Sequence, residues 1–75
     1  MIILRAFARY RERLGFERLE LELPDPATLA ALLEDPRLAA LPPDALFALN
    51  QAFVGREARL LDGDEVALMP PVSGG

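Results

Sequence analysis

Leu60-Leu61-Asp62-Gly63-Asp64-Glu65-Val66-Ala67-Leu68-Met69-Pro70-Pro71-Val72-Ser73-Gly74-Gly75 is the stretch on which the reading of this chain turns. Asp62-Gly63 reads as a turn, because glycine enters positive φ without steric cost. The apolar run that follows has the period of a strand, with Val66 and Leu68 on one face and Ala67 and Met69 on the other. Pro70 and Pro71 fix φ and hold the exit extended, so less order is lost when the segment is threaded into a site. Gly74 and Gly75 carry no Cβ, which lets backbone pass through a narrow channel and brings the Gly75 carboxylate to its far end. At roughly 3.3 Å per residue, residues 70–75 reach on the order of 20 Å. A Gly-Gly end by itself is usually a frayed terminus; an apolar strand running straight into the prolines gives this one a fixed origin in a sheet. The expected organisation is a domain over residues 1–69 and an extended tail over 70–75.

Upstream, Met1 to Ala8 is apolar except for Arg5, which suits a largely buried strand. From Arg9 to Leu14 the period becomes helical, with Tyr10 and Leu14 four apart, and Gly15 supplies a stop. The arginines of this segment read as a solvated helix face rather than a partner patch. Glu17 to Leu23 alternates, Leu19, Leu21 and Leu23 pointing one way and Arg18, Glu20 and Glu22 the other, which predicts a strand with one wet face. The principal helix starts with Asp25 or, better, Thr28 as N-cap, since Leu29, Leu32 and Leu33 then share a face. Pro36 disfavours helical dihedrals at Asp35, so an end near Glu34 is expected. Pro36 to Asp44 should be a short helical turn and a loop, with Leu38 and Leu41 on the edge of the core. Ala45 to Leu49 reads as a buried strand, Asn50-Gln51 as a tight turn and Ala52-Phe53-Val54 as a short returning strand.

Composition narrows the chemistry. The 75 residues form one domain with a small core. No apolar run approaches a membrane span, and Arg5 interrupts the apolar start too early for a signal peptide, so a soluble, cytoplasmic protein is expected. Cysteine and histidine are both absent. Thiol and imidazole catalysis, disulfides and the common transition-metal sites have no raw material, and neither a metal site nor an independent enzyme activity is expected. All 8 basic residues are arginine and the net charge is −4. The balance is uneven, +3 over residues 1–18 and −7 over 19–75, which argues against nucleic-acid binding and for a basic surface on a protein partner.

Two groups of residues compete for functional readings. Asp62, Asp64 and Glu65 are too closely spaced for a calcium loop, and Glu65 opens a strand that turns its neighbours to opposite faces, so the turn role is preferred. A domain with one principal helix covers one face of its sheet, which leaves some of Phe7, Phe47, Phe53 and Met69 for the other. Phe53 reads equally as core or interface, and Met69 rather as interface, an apolar patch beside the tail exit being a docking surface.

Asn50-Gln51, Val54, Asp62-Gly63-Asp64-Glu65-Val66 and the terminal Pro70-Pro71-Val72-Ser73-Gly74-Gly75 resemble the small, sulfur-carrying subunits of molybdopterin synthase. The resemblance is dense over the C-terminal third and covers the first fifty residues as a pattern of elements. Related carriers of the thiamine pathway also end in Gly-Gly but usually lack the Pro-Pro and Asn-Gln pairs. The resemblance implies an α+β fold of β-grasp, ubiquitin-like type, a mixed sheet with the last strand beside the first and one main helix across one face. It also implies that a ubiquitin-activating-like adenylyltransferase uses ATP to adenylate Gly75, that sulfur then replaces AMP, and that the tail delivers this sulfur within the large synthase subunit. No cofactor is expected to be bound by the carrier itself. Thiamine or transfer-RNA thiolation is the nearest alternative. A protein modifier joined to lysines is the alternative from another class; lacking lysine, this chain could not build ordinary lysine-linked polymers of itself.

Overall fold

The computed structural model describes residues 1–71; the expected tail positions Val72, Ser73, Gly74 and Gly75 lie outside the described residues. The elements run β1 (Ile2–Ala6), α1 (Arg9–Leu14), β2 (Arg18–Leu21), α2 (Leu29–Leu32), a 3-10 turn (Pro36–Leu38), β3 (Leu46–Leu49), β4 (Ala52–Val54) and β5 (Glu65–Met69). They build one five-stranded sheet in the order β2-β1-β5-β3-β4. β1 and β5 are parallel, with Leu4 beside Val66, while the other neighbours are antiparallel. The α+β sheet with its last strand beside its first is the expected β-grasp layout.

The period-two pattern places Ile2, Leu4, Val66 and Leu68 on the helix side, where each is fully buried beneath Leu29, Leu32, Leu38 and Leu60. Removing such a side chain from water is worth roughly 2 kcal/mol, so these few residues hold most of a small core. Tyr10, also fully buried, brings α1 into the same cluster, but its hydroxyl has no hydrogen-bond partner. Thr28 is the N-cap of α2, its Oγ1 accepting from Ala31 N at 3.2 Å. Two further N–H groups that a helix start leaves unpaired are satisfied from a distant loop: Leu29 N donates to Ala58 O and Ala30 N to Arg56 O.

Three boundaries differ from the sequence reading. The principal helix is a single turn; after Leu32 the bonds tighten, with Glu34 N reaching Ala31 O and Asp35 N reaching Leu32 O, as the chain prepares for Pro36. The second strand stops at Leu21, because the β1 ladder ends with Ile2 opposite it, and Leu23 is exposed rather than aligned with Leu19 and Leu21. The first strand stops at Ala6: Ala8 takes φ 52° and ψ −134°, which breaks the extended chain, while Phe7, of opposite parity to Ala6, stands partly in solvent. Gly15, with φ 83°, ends α1 as expected.

Candidate functional site

The sheet face away from α2 carries the candidate site. Its middle row runs Arg5, Ala67, Ala48, Phe53 across four strands, fixed by the pairings Arg5 with Ala67, Ala67 with Ala48, and Ala48 with Phe53. Small side chains on the two inner strands and a large aromatic on the outer one leave a depression. A groove of about 300 Å³ results, lined by Phe7, Ala48, Gln51, Phe53, Glu65, Ala67 and Met69. Phe53 stands 74% exposed and Phe7 44% exposed, whereas Phe47, of opposite parity in the next strand, is buried in the core. The balanced reading of Phe53 therefore resolves to a surface position. Met69, half-buried, lies in the groove wall directly before Pro70 and Pro71.

The exit leaves an inner strand. β5 is held on one side by β1 and on the other by β3, where Met69 pairs with Leu46. Its beginning is tied down by a compact network. Asn50 and Gln51 both adopt positive φ, 48° and 74°, as the centre of a two-residue hairpin turn of type I′ requires. The Asn50 side chain then joins this turn to the next loop: Nδ2 donates to Asp64 Oδ1 at 3.0 Å, and Oδ1 accepts from Glu65 N at 3.0 Å. Asn50 N also donates to Glu65 O. The other carboxylate oxygen of Asp64 accepts from Leu61 N at 2.7 Å, Gly63 sits at φ 92°, and the amino group of Met1 meets Asp62. Asp62 and Asp64 are thus engaged in turn closure, the role preferred for them. Glu65 turns instead toward Arg5, Oε1 lying 3.1 Å from Nε, and closes one end of the groove with an exposed ion pair.

The structure brings Phe53, Met69 and Pro70-Pro71 to one face; the remaining expected tail residues, Val72 to Gly75, fall outside the described residues. Sequence reasoning missed the clamp made by Asn50 and the lining roles of Ala48 and Gln51. The I′ turn was the available signal, since a two-residue turn fixes the β3–β4 register and hence which residue opposes Ala48. Among the described residues no cluster of carboxylates is arranged to hold a metal ion, and no helix is long and apolar enough to cross a membrane.

An open-faced mixed sheet, backed by a short helix and ending in a central strand that runs into a proline exit, defines a ubiquitin-like β-grasp protein. The ThiS family model matches residues 4–75, and the chain belongs to that family. A molybdopterin synthase sulfur carrier subunit from Chlamydomonas reinhardtii is 41% identical over 76 residues, covering 92% of both chains. Among solved structures, a putative molybdopterin converting factor subunit 1 from Pyrococcus furiosus superposes with a TM-score of 0.83 at 30% identity, covering 95% of this chain and 97% of the other. The first subunit's fold also recurs in a complex of subunits 1 and 2 of the molybdopterin-converting factor from Helicobacter pylori, with a TM-score of 0.68, 25% identity and coverage of 99% and 97%.

Proposed function

We propose that this chain is the sulfur carrier subunit of molybdopterin synthase, a cytoplasmic protein that is inactive alone and works by docking. The observation that carries the reading is the adjacency of the Phe53–Met69 groove to an exit rooted in an inner strand. A partner seated on the groove receives the tail at a fixed place. That the Helicobacter pylori relative is found in complex with a second subunit supports a large, catalytic subunit as this partner.

The chemistry falls to the Gly75 carboxylate. A carboxylate is a poor acylating group, so an adenylyltransferase of the ubiquitin-activating type joins it to AMP, pyrophosphate leaving from ATP. A sulfur donor then displaces AMP, and the product is a thiocarboxylate whose soft anionic sulfur needs no cysteine. Residues 70–75 carry that sulfur into the large subunit, where it is transferred to a cyclic pterin precursor on the way to the dithiolene that holds molybdenum. Each dithiolene takes two sulfurs and each tail brings one, so carriers must exchange. A shallow groove with an ion pair at its rim suits a releasable contact better than a deep apolar one.

Incubation with the activating enzyme, ATP and a sulfur source should shift the intact mass by the exchange of one oxygen for sulfur at Gly75. Gly74→Val should abolish this or the subsequent transfer while leaving the circular dichroism spectrum unchanged, because a β-branched residue resists positive φ and widens the threaded chain. Transfer at the wild-type rate by that variant would refute threading. Conversion of a thiazole precursor or a transfer RNA in place of the pterin, or attachment to target lysines, would replace the reading by one of its rivals.

A further inference from the structure

On the helix side of the molecule lies a larger recess, about 680 Å³, between the outer strand β2 and α2. Nothing in the carrier function uses it. Its floor is apolar: Leu21 and Leu32 are almost wholly buried there, and Leu23 is left partly exposed above them. Its long wall is an unpaired sheet edge. Ala6 N donates to Glu17 O at 3.0 Å, which fixes the antiparallel alternation, so Leu19 and Leu21 direct their backbone groups toward β1. The N–H and C=O groups of Arg18 and Glu20 therefore face outward, as a template for an added strand.

Charge selects what can lie there. Glu20, Glu22, Glu34 and Asp35 line the recess against the Met1 amino group, which Asp62 holds, and a single basic side chain, Arg37. That side chain is already committed. Its Nε and Nη2 hold Asp35 at 3.1 Å each, and these side-chain hydrogen bonds, first among the causes, keep the Asp35 carboxyl below its ordinary range. Glu20 is engaged by Arg18 at 2.8 Å. Glu22 and Glu34, both exposed, flank the apolar floor with no ion-pair partner among the described residues.

We propose that the β2–α2 recess is a second docking site, which takes an extended peptide segment with aliphatic side chains flanked by arginine or lysine. The segment adds to the free edge of β2 through backbone hydrogen bonds, lays alternate apolar side chains on Leu21, Leu23 and Leu32, and sets its basic flanks against Glu22 and Glu34. A second copy of this chain is a poorer occupant, since the one cation that its β2 offers, Arg18, is already held by Glu20. The recess opens on the other side of the sheet from the Phe53–Met69 groove, so a peptide held there leaves that groove free.

The test uses the full chain, nitrogen-labelled, titrated with a short end-blocked peptide that has a valine–isoleucine core and arginines at both ends. Amide shifts should concentrate on β2 and α2 and spare β3 and β4. Aspartates in place of the arginines, or a proline in the core, should each weaken binding by about tenfold or more, and binding should fall as salt rises. Glu22→Lys combined with Glu34→Lys should do the same while keeping the dispersed amide spectrum, and the milder Glu22→Gln should give a smaller loss in the same direction. Shifts centred on Phe53 and Met69, affinity unchanged in the charge-reversed variant, or no shifts at millimolar peptide would overturn the proposal. Concentration-dependent shifts along β2 without peptide would also overturn it, by making a second copy the occupant.

Discussion

Replacing Asn50 by alanine removes the side chain that ties the β3–β4 turn to the start of β5. Two hydrogen bonds are lost, one donated to Asp64 Oδ1 and one accepted from Glu65 N. Asn50 is exposed, so water takes over both freed partners, and each bond is worth about 0.5 kcal/mol, the low end of the usual range. The backbone adds a second cost, because φ 48° is tolerated by asparagine and costs alanine about 1 kcal/mol more. The sum is about 2 kcal/mol. For a domain of this size each kcal/mol moves the midpoint by about 4–8 °C, so Asn50→Ala should melt about 8–16 °C below the parent in a calorimetric or circular-dichroism scan. Asn50→Gly separates the terms: it accepts the dihedral but lacks the side chain, and should lose about half as much. In Asn50→Asp an acceptor for Glu65 N survives, but a second carboxylate is set against Asp64. Mutual repulsion raises the folded-state pKa of that pair, so the folded form holds more protons than the unfolded one. The deficit of this variant should therefore shrink as pH falls through the carboxylate range and grow as pH rises out of it. Midpoints of the alanine and glycine variants within a degree of the parent would refute the clamp, and equal losses in the two would refute the dihedral term.

Phe53→Asp should leave the melting midpoint within about 3 °C of the parent, as surface changes usually cost under about half a kcal/mol, yet weaken binding to the large synthase subunit by about tenfold or more in a titration; an equal affinity would remove Phe53 from the docking face. Met69→Arg should weaken the same complex with a somewhat larger fall in midpoint, because Met69 is half-buried beside Leu46. Tyr10→Phe deletes a buried hydroxyl that has no partner, and should raise stability by up to about 1 kcal/mol in a urea titration; a clear loss would show that the hydroxyl is satisfied. Ala8→Gly relieves a dihedral pair that alanine adopts at a cost of order 1–3 kcal/mol, partly offset by added unfolded-state freedom, and should be stabilising by about 1 kcal/mol in the same assay.

Much of this architecture is legible in the residues themselves. Apolar alternation located β5 and its faces, Thr28 marked the helix start, and Gly15 and Gly63 marked turns that positive φ explains. What escaped was decided between distant segments. Leu23 keeps the alternation of Leu19 and Leu21 but has no β1 partner, and local pattern carries no record of where a neighbour's ladder ends. The start of α2 is likewise completed from outside, by loop carbonyls at Arg56 and Ala58, while its end follows from the approach to Pro36. Phe53 was ambiguous because a three-residue strand offers too few positions for period two to identify the wet face; only its opposition to Ala48 settles that. The clamp at Asn50 was invisible for the same reason, its partner residues lying 14 and 15 positions further along.

The placement of β5 inside the sheet governs the order in which the molecule can assemble. Until that strand arrives, β2 with β1 and β3 with β4 are separate two-stranded pieces, and isolated hairpins are marginal in water. Closing the sheet requires β5 to enter between them and to meet β1 across some sixty residues of chain, a non-local event that sets a slow step. During synthesis the earlier strands must wait for it. Any partner that reads the assembled groove therefore meets only chains whose folding is complete, and a lesion in β5 is felt as failure of the whole domain rather than as a local defect.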